Sequence, residues 1–311
     1  LRAVLGQTII GFPAPDYKTP DESLAATEAF ILKYKDHDRI VPSPAPHAIY
    51  TTAMEVVKRA RDLSVRHGVP FQIHAAESPE EDREVRAKFG KTTVAVLDEA
   101  GILGPGVILH HATTLSDADM KRLAALGVAT SHNPESNMKV ASGLARVPDQ
   151  LAAGVTVGLG TDGAATNNNL DMFETIDYVA KVHKLVRNDP TVMPARDVFR
   201  LATMGGASAL GLGAQVGSIE PGKLADLVVV DVEPAQRPVY DVYSHLVYVT
   251  KGASVRTTIV QGQVIMRDRR MVTVNEGEVV QRALEIQQRV LRTLGRPAAP
   301  ATSVPATRAV P

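Results

Sequence analysis

Residues 71–89 read FQIHAAESPEEDREVRAKF, a short apolar run that ends on His74 and Glu77 and gives way at once to a charged stretch with helical spacing. A strand followed directly by a helix is the repeating unit of an α/β fold. The alternation continues outward in both directions. Short β-branched runs fall at about 3–11, 39–45, 70–74, 106–111, 128–131 and 155–161, most of them followed by a helical pattern. Thr51 and Thr52 stand where the helix AMEVVKRARDLSVRHG needs its N-cap, and Ser116 followed by Asp119 has the spacing of a capping box. Gly68, Gly101, Gly127 and Gly154 fall where helices should stop. Serial parallel strands with helical crossovers mean a doubly wound sheet or a (β/α)8 barrel.

From residue 213 the texture changes. GSIEPGKLADLVVVD and VRTTIVQGQVIMRDRR are alternating strands between Gly and Pro turns. Residues 213–275 are therefore expected to form a small β domain, residues 276–295 a helix, and residues 296–311 a Pro/Ala-rich tail too poor in core-forming side chains to fold. Residues 1–212 carry six strands of barrel type, whereas a closed barrel of this class needs eight. The chain also opens on Leu1 inside an apolar run. The expectation is an α/β TIM-type barrel lacking its first strands, joined to a partial β-sandwich.

Composition narrows the chemistry. Lys plus Arg and Asp plus Glu both number 34, with no basic stripe, so nucleic acid is not an expected partner. No run of about 18 apolar residues is present, membrane partners are not expected, and the expected location is the cytoplasm. There is no cysteine, which removes disulfides, thiolate zinc sites and thiol nucleophiles together. Any metal must sit on His, Asp or Glu.

The polar residues of interest collect at strand ends, the face where barrel enzymes build their sites. His47 follows the second strand, His74 and Glu77 the third, His111 the fourth, His132 the fifth and Asp162 the sixth. Each has a structural explanation when taken singly. A lone strand-end His is more often a hydrogen-bonded core residue, Asp162 could cap the helix beginning near Leu170, and Glu77 could open the acidic turn before EEDREVRAKF. Their joint occurrence is harder to explain that way. Imidazoles and carboxylates suit zinc or iron, a bound divalent ion would make hydroxide available near neutral pH, and Glu77 and Asp162 would move protons.

At APHAIYT, IHAAE, SHNPESNMKVASG, GLGTDGAATNNNLDMFE and IEPGKLADLVVVD the sequence resembles the amidohydrolase superfamily and, within it, the 5-methylthioadenosine/S-adenosylhomocysteine deaminase group. The resemblance runs from Leu1 to about Val280. It implies that His74 and Asp162 are ligands of one divalent metal ion, zinc first and iron as the other candidate. It further implies that Asp162 takes a proton from the attacking water, that Glu77 shuttles a proton to the purine N1, that His111 orients the hydroxide, and that His47, Glu77 and Asp162 face an adenosine-type substrate. The product would be a hypoxanthine ring and ammonia. A homo-oligomer is implied by the same analogy. His132 has no role assigned and could equally be structural.

One departure is large. The family opens its barrel with a His-x-His pair, and none occurs here. The adjacent His110 and His111 are not expected to replace it, because neighbouring strand residues point to opposite faces. Two rival readings follow: another amidohydrolase, such as a triazine hydrolase or a guanine, cytosine or nucleoside deaminase, or a chain that keeps the shape but has no competent metal centre.

Overall fold

A computed structural model describes residues 1–297 of the protein. Strands Ala3–Ile9 (β1) and Ile40–Pro46 (β2) pair in parallel, with Ala3 opposite Ile40 and Ile9 opposite Pro46, and helix Pro20–Tyr34 (α1) crosses between them. After helix Met54–His67 (α2) comes a second parallel sheet of Phe71–Ala75 (β3), Val107–His111 (β4), Ala129–His132 (β5) and Thr156–Leu159 (β6), adjacent in that order. Helices Pro79–Phe89 (α3) and Thr93–Glu99 (α4) lead from β3 to β4, Asp117–Leu126 (α5) leads to β5, and Pro134–Lys139 (α6) with Val147–Ala152 (α7) leads to β6.

β2 lies beside β3, and the His74 N–H donates to the His47 carbonyl at 3.0 Å, yet no regular ladder joins them. Proline accounts for this. The His47 N–H donates to Ile9 O on the β1 side. By the pleat alternation, Pro42, Pro44 and Pro46 then occupy the positions whose N–H would face β3, and proline has none. The result is a six-stranded partial barrel wall with a seam at β2/β3. Its core is apolar and closely packed, with Ile9, Ile31, Phe71, Leu97, Leu109, Leu123 and Val157 almost wholly buried.

Local signals behave mostly as read. Ser116 and Asp119 form the capping box of α5, and Gly68 and Gly127 end α2 and α5 in left-handed conformation. The expected threonine cap on α2 is corrected. Ala53 is the N-cap and makes no side-chain bond, because Thr51 Oγ1 is engaged by His47 Nδ1 at 2.8 Å and Thr52 Oγ1 donates to Ile9 O.

Beyond β6 come helices Ala164–Asn167 (α8), Met172–Arg187 (α9) and Ala195–Arg200 (α10), then a π-helical turn at Leu201–Gly205 that runs into Gly206–Ala209 (α11). The turn lies against β6 at very short range. A Cβ on Gly205 would stand 2.5 Å from Val157 O, and one on Gly158 would stand 3.0 Å from the Gly206 Cα.

The chain divides into two compact units, residues 1–224 with 233–252, and residues 225–232 with 253 onward. The region expected as one β domain, 213–275, is thus distributed differently. Its middle forms helix Val242–Tyr248 (α12) and belongs to the barrel unit. The second unit holds an antiparallel sheet in the order Arg270–Met271 (β10), Gln263–Arg267 (β9), Val255–Val260 (β8), Leu227–Val230 (β7), followed by helix Glu276–Thr293 (α13). The tail expected from residue 296 lies, from residue 298, outside the described residues.

Candidate active site

The strand ends gather the sequence-predicted residues. The His47 and His74 rings have centroids 4.9 Å apart, and the His74 ring stacks on His111 at 5.4 Å with an interplanar angle of 28°. Glu77 Oε1 lies 3.8 Å from His111 Nε2, too far for a direct hydrogen bond, and Glu77 Oε2 accepts from the Tyr50 hydroxyl at 3.3 Å. The backbone here is strained. Ala76, His111, Ala112 and Asp162 have φ of 53°, 75°, 52° and 62°, a region that residues with a Cβ seldom adopt. Such outliers at successive strand ends persist only where surrounding bonds enforce them. Thr113 supplies several: its N–H donates to Ala76 O at 2.7 Å and its hydroxyl to Glu77 O at 2.8 Å.

The strain also corrects one expectation. His110 and His111 do not diverge, since both rings lie within 6 Å of the His74 ring, at 5.9 and 5.4 Å. The left-handed conformation at His111 interrupts the pleat, so strand alternation no longer sends its side chain to the opposite face. His110 bonds Gln72 Oε1 at 3.2 Å, and burial, followed by the nearby imidazoles, pushes its pKa down to about 3.

Each remaining group is oriented from behind. His74 Nδ1 lies 2.7 Å from the His47 carbonyl oxygen, which can only accept, so Nδ1 is a donor and the neutral tautomer compatible with this bond has its lone pair on Nε2. His111 is almost wholly buried, and Nδ1 receives an Asn137 Nδ2 hydrogen at 2.9 Å. Burial lowers the pKa of both His47 and His111 and favours the neutral rings, although the negative charge of Glu77 opposes this.

Asp162 is not a helix cap, because Asp171 caps α9 by accepting from the Phe173 and Glu174 N–H groups. Asp162 Oδ2 accepts from Ser136 Oγ at 2.6 Å and Thr166 Oγ1 at 2.8 Å, and Oδ1 from the Gly163 N–H at 2.7 Å. Burial would raise its pKa, but these hydrogen bonds and the nearby His111 hold it below the usual carboxylate value. The SHNPESNMK segment and the stretch from Ala165 to Thr175 also bind each other. Glu135 Oε2 accepts from Asn167 Nδ2 at 2.9 Å and Thr175 Oγ1 at 2.5 Å, and Lys139 donates to Ala165 O and Asn168 Oδ1.

His132 makes its ring contact on the other side, toward α9. It packs against His183 of α9 with centroids 5.3 Å apart, and neither of its ring nitrogens has a hydrogen-bond partner. Burial depresses the pKa of both, to about 4 in His183. Sequence reading did not single out His183, Asn137, Ser136 or Glu81. Of these, Ser136 and Asn137 lie in a quoted motif, and only their placement behind Asp162 and His111 shows what they do.

The donor set can be tested against a metal ion. His74 has the arrangement typical of a metal ligand, one nitrogen donated to a carbonyl and the other left available, and Asp162 offers carboxylate oxygen. Among the described residues, however, no group of three or more His, Asp or Glu is arranged to hold an ion. A catalytic zinc site usually takes three protein ligands plus water. Two donors do not make a complete site.

A partial parallel barrel with imidazoles and carboxylates gathered at its strand ends has the architecture of a barrel-type enzyme. The chain belongs to the amidohydrolase family, whose model matches residues 1–265. It is 44% identical over 291 residues to a 5-methylthioadenosine/S-adenosylhomocysteine deaminase of Syntrophobacter fumaroxidans, covering 93% of this chain and 66% of that protein. It is 44% identical over 246 residues to a 5′-deoxyadenosine deaminase of Methanosarcina acetivorans, covering 79% of this chain and 56% of that protein. Among solved structures, an adenosine deaminase from Xanthomonas campestris with bound zinc superposes with a TM-score of 0.90 at 35% identity, covering 94% of this chain and 66% of that one. The chain thus spans about two thirds or less of the length of these relatives. Among the described residues no helix is long and apolar enough to cross a membrane.

Proposed function

We propose that a protein of the relatives' full length containing this chain hydrolyses the adenine amine of 5′-methylthioadenosine or S-adenosylhomocysteine. The observation that carries this reading is the convergence of His47, His74, His111 and Glu77 at adjoining strand ends, with Asp162 held nearby as a carboxylate by Ser136, Thr166 and Gly163. The relatives' names supply the substrate class. A divalent ion belongs to the reading, zinc as in the Xanthomonas structure. His74 and Asp162 would contribute two of its ligands, and its chemical contribution would be to lower the pKa of bound water.

The chain's own groups would act as follows. Water adds through oxygen to C6 of the ring. Glu77 carries one proton of that water to N1, and Asp162, held by its three donors, accepts the other and passes it to the leaving amine. His111 Nε2–H faces the new C6 oxygen, while His47, tied back by Thr51, contacts the substrate. The C6–N bond then breaks, the amine takes up a proton and leaves as ammonia, and a hypoxanthine ring remains. Water is consumed and ammonia released one for one.

The test follows ammonia release together with the adenine-to-hypoxanthine absorbance change in the full-length, zinc-loaded protein. Turnover of methylthioadenosine or S-adenosylhomocysteine is expected, with a loss of at least about a hundredfold on Glu77→Gln. Activity on a triazine or on guanine, with none on adenosyl compounds, would overturn the substrate. An unchanged rate in Glu77→Gln would overturn the proton-transfer role.

A further inference from the structure

We infer that Asn137 sets the tautomer of His111, holding the imidazole as an Nε2–H donor toward the space it shares with Glu77. This makes Asn137 a positioning residue. The inference deepens the functional reading above and rests on it for its relevance to deamination.

Asn137 is fully buried on the short helix α6, and its amide nitrogen makes two bonds, to His111 Nδ1 at 2.9 Å and to Ser142 Oγ at 2.8 Å. Its Oδ1 has no partner. An amide has two orientations related by an end-for-end turn, and they differ in what they leave unpaired. As placed, both N–H groups are used and one carbonyl oxygen is left bare. Reversed, the oxygen would accept from His111 and Ser142, and two buried N–H groups would be left without acceptors. Each unsatisfied buried group costs free energy, so one bare acceptor is preferred to two bare donors.

With the amide nitrogen donating, His111 Nδ1 must present its lone pair. The neutral ring's proton is then on Nε2, the nitrogen that lies 3.8 Å from Glu77 Oε1. That gap is too long for a hydrogen bond but leaves His111 an N–H to offer an oxygen entering between them. The opposite tautomer would present a lone pair there instead, able to accept from an O–H but with no hydrogen to offer an oxygen.

Asn137 is also adjacent to Ser136, which donates to Asp162 Oδ2. Two successive residues of α6 therefore set the donor character of His111 and hold the Asp162 carboxyl group from one backbone segment. Nothing in the bare spacing of SHNPESN reveals this, because the two side chains serve different strands.

The experiment is nuclear magnetic resonance of the 311-residue chain labelled with 15N-histidine, with long-range 1H–15N correlations recorded near pH 7.5 and His111 assigned by comparison with His111→Gln. The wild-type His111 is expected as the Nε2–H tautomer, with an unprotonated Nδ1. In Asn137→Asp the carboxylate can only accept, so the proton is expected to move to Nδ1. Asn137→Ala should give a mixture of the two forms. An Nδ1–H signature in the wild type overturns the inference, and so does an unchanged pattern in Asn137→Asp. The wild-type spectrum decides even if a variant fails to fold. No turnover is needed, so failure of the deaminase reading would leave this result standing, and an Nδ1–H result would leave the deaminase reading to its own assay.

Discussion

Glu81 Oε2 accepts a 2.6 Å hydrogen bond from the backbone N–H of Glu77, so one carboxylate holds the turn that presents another. Its second oxygen accepts from the Ala76 N–H at 3.0 Å and from Thr93 Oγ1 at 2.9 Å. Glu81 is buried, and this burial raises its pKa while the three hydrogen bonds act in the opposite direction. Together with Thr113 it keeps the left-handed Ala76 in place.

Glu81→Gln is therefore expected to destabilise the fold by about 1–3 kcal/mol, the cost of leaving a buried donor unmatched. The amide keeps one acceptor oxygen and loses the other. Urea unfolding monitored by circular dichroism measures it. A midpoint unchanged from wild type would show that the Ala76–Glu77 turn is held by Thr113 alone.

The pH dependence of stability has a second source in His132 and His183. His183 is almost wholly buried, and its pKa falls from the ordinary 6.5 to about 4, chiefly by burial and then by the charges of Arg187 and Lys184, with Asp149 opposing. His132 is lowered in the same sense by burial and by its neighbours His183 and His111. A histidine with a depressed folded pKa binds fewer protons folded than unfolded, so stability is lost as pH falls from about 6.5 toward 4. For His183 the loss is about 3 kcal/mol. Glu81 works in the opposite sense, because its raised folded pKa makes the folded state the tighter proton binder. Comparing wild type with His183→Leu at each pH cancels that term. The variant should show a shallower acid limb, and parallel curves would remove His183 from the account.

At the far edge of the sheet, two neighbouring glycines should respond differently. A Cβ on Gly205 would meet Val157 O at 2.5 Å, whereas one on Gly206 finds nothing nearer than Leu201 O at 3.8 Å. Gly205→Ala is expected to cost about 1–3 kcal/mol, as overpacking does. Gly206→Ala should be neutral or stabilising by up to about 1 kcal/mol, since alanine is the better helix former. Thermal unfolding of the two variants side by side checks this. Equal shifts would mean that the π-helical turn moves off β6 freely.

Much of this was legible because strand and helix periodicities are local. The six strands, the capping box at Ser116 and the strand-end placement of His47, His74, His111 and Asp162 follow from residues near one another in sequence. What was not legible depends on pairs distant in sequence. Glu81 reads as an ordinary first-turn acid, and only its fold-back onto Ala76 and Glu77 gives it a role. His110 and His111 were expected on opposite faces, which presumes a regular pleat, and no sequence pattern announces φ of 75° at His111. The helix Val242–Tyr248 was hidden inside a stretch whose flanks alternate like strands. Thr51 was expected to cap α2, but it is claimed by His47 instead.

His74 offers Nε2 with its other nitrogen anchored on the His47 carbonyl, and Asp162 offers a carboxylate already engaged by three donors. No third ligand among the described residues completes a set with them. His111 is not free to serve, because recruiting its Nε2 lone pair would require moving the proton to Nδ1, against the Asn137 amide hydrogen. Zinc titrated calorimetrically into the 311-residue chain should therefore bind weakly, far below the affinity of a three-ligand site. Any binding that is seen should fall further in His74→Ala and should be untouched by His132→Gln, whose ring faces His183 rather than the strand-end cluster. The same preparation, with zinc in excess, should not turn over methylthioadenosine. Tight one-to-one binding with turnover would show that the described strand ends can assemble a full coordination sphere. The two-donor account of His74 and Asp162 would then have to be abandoned.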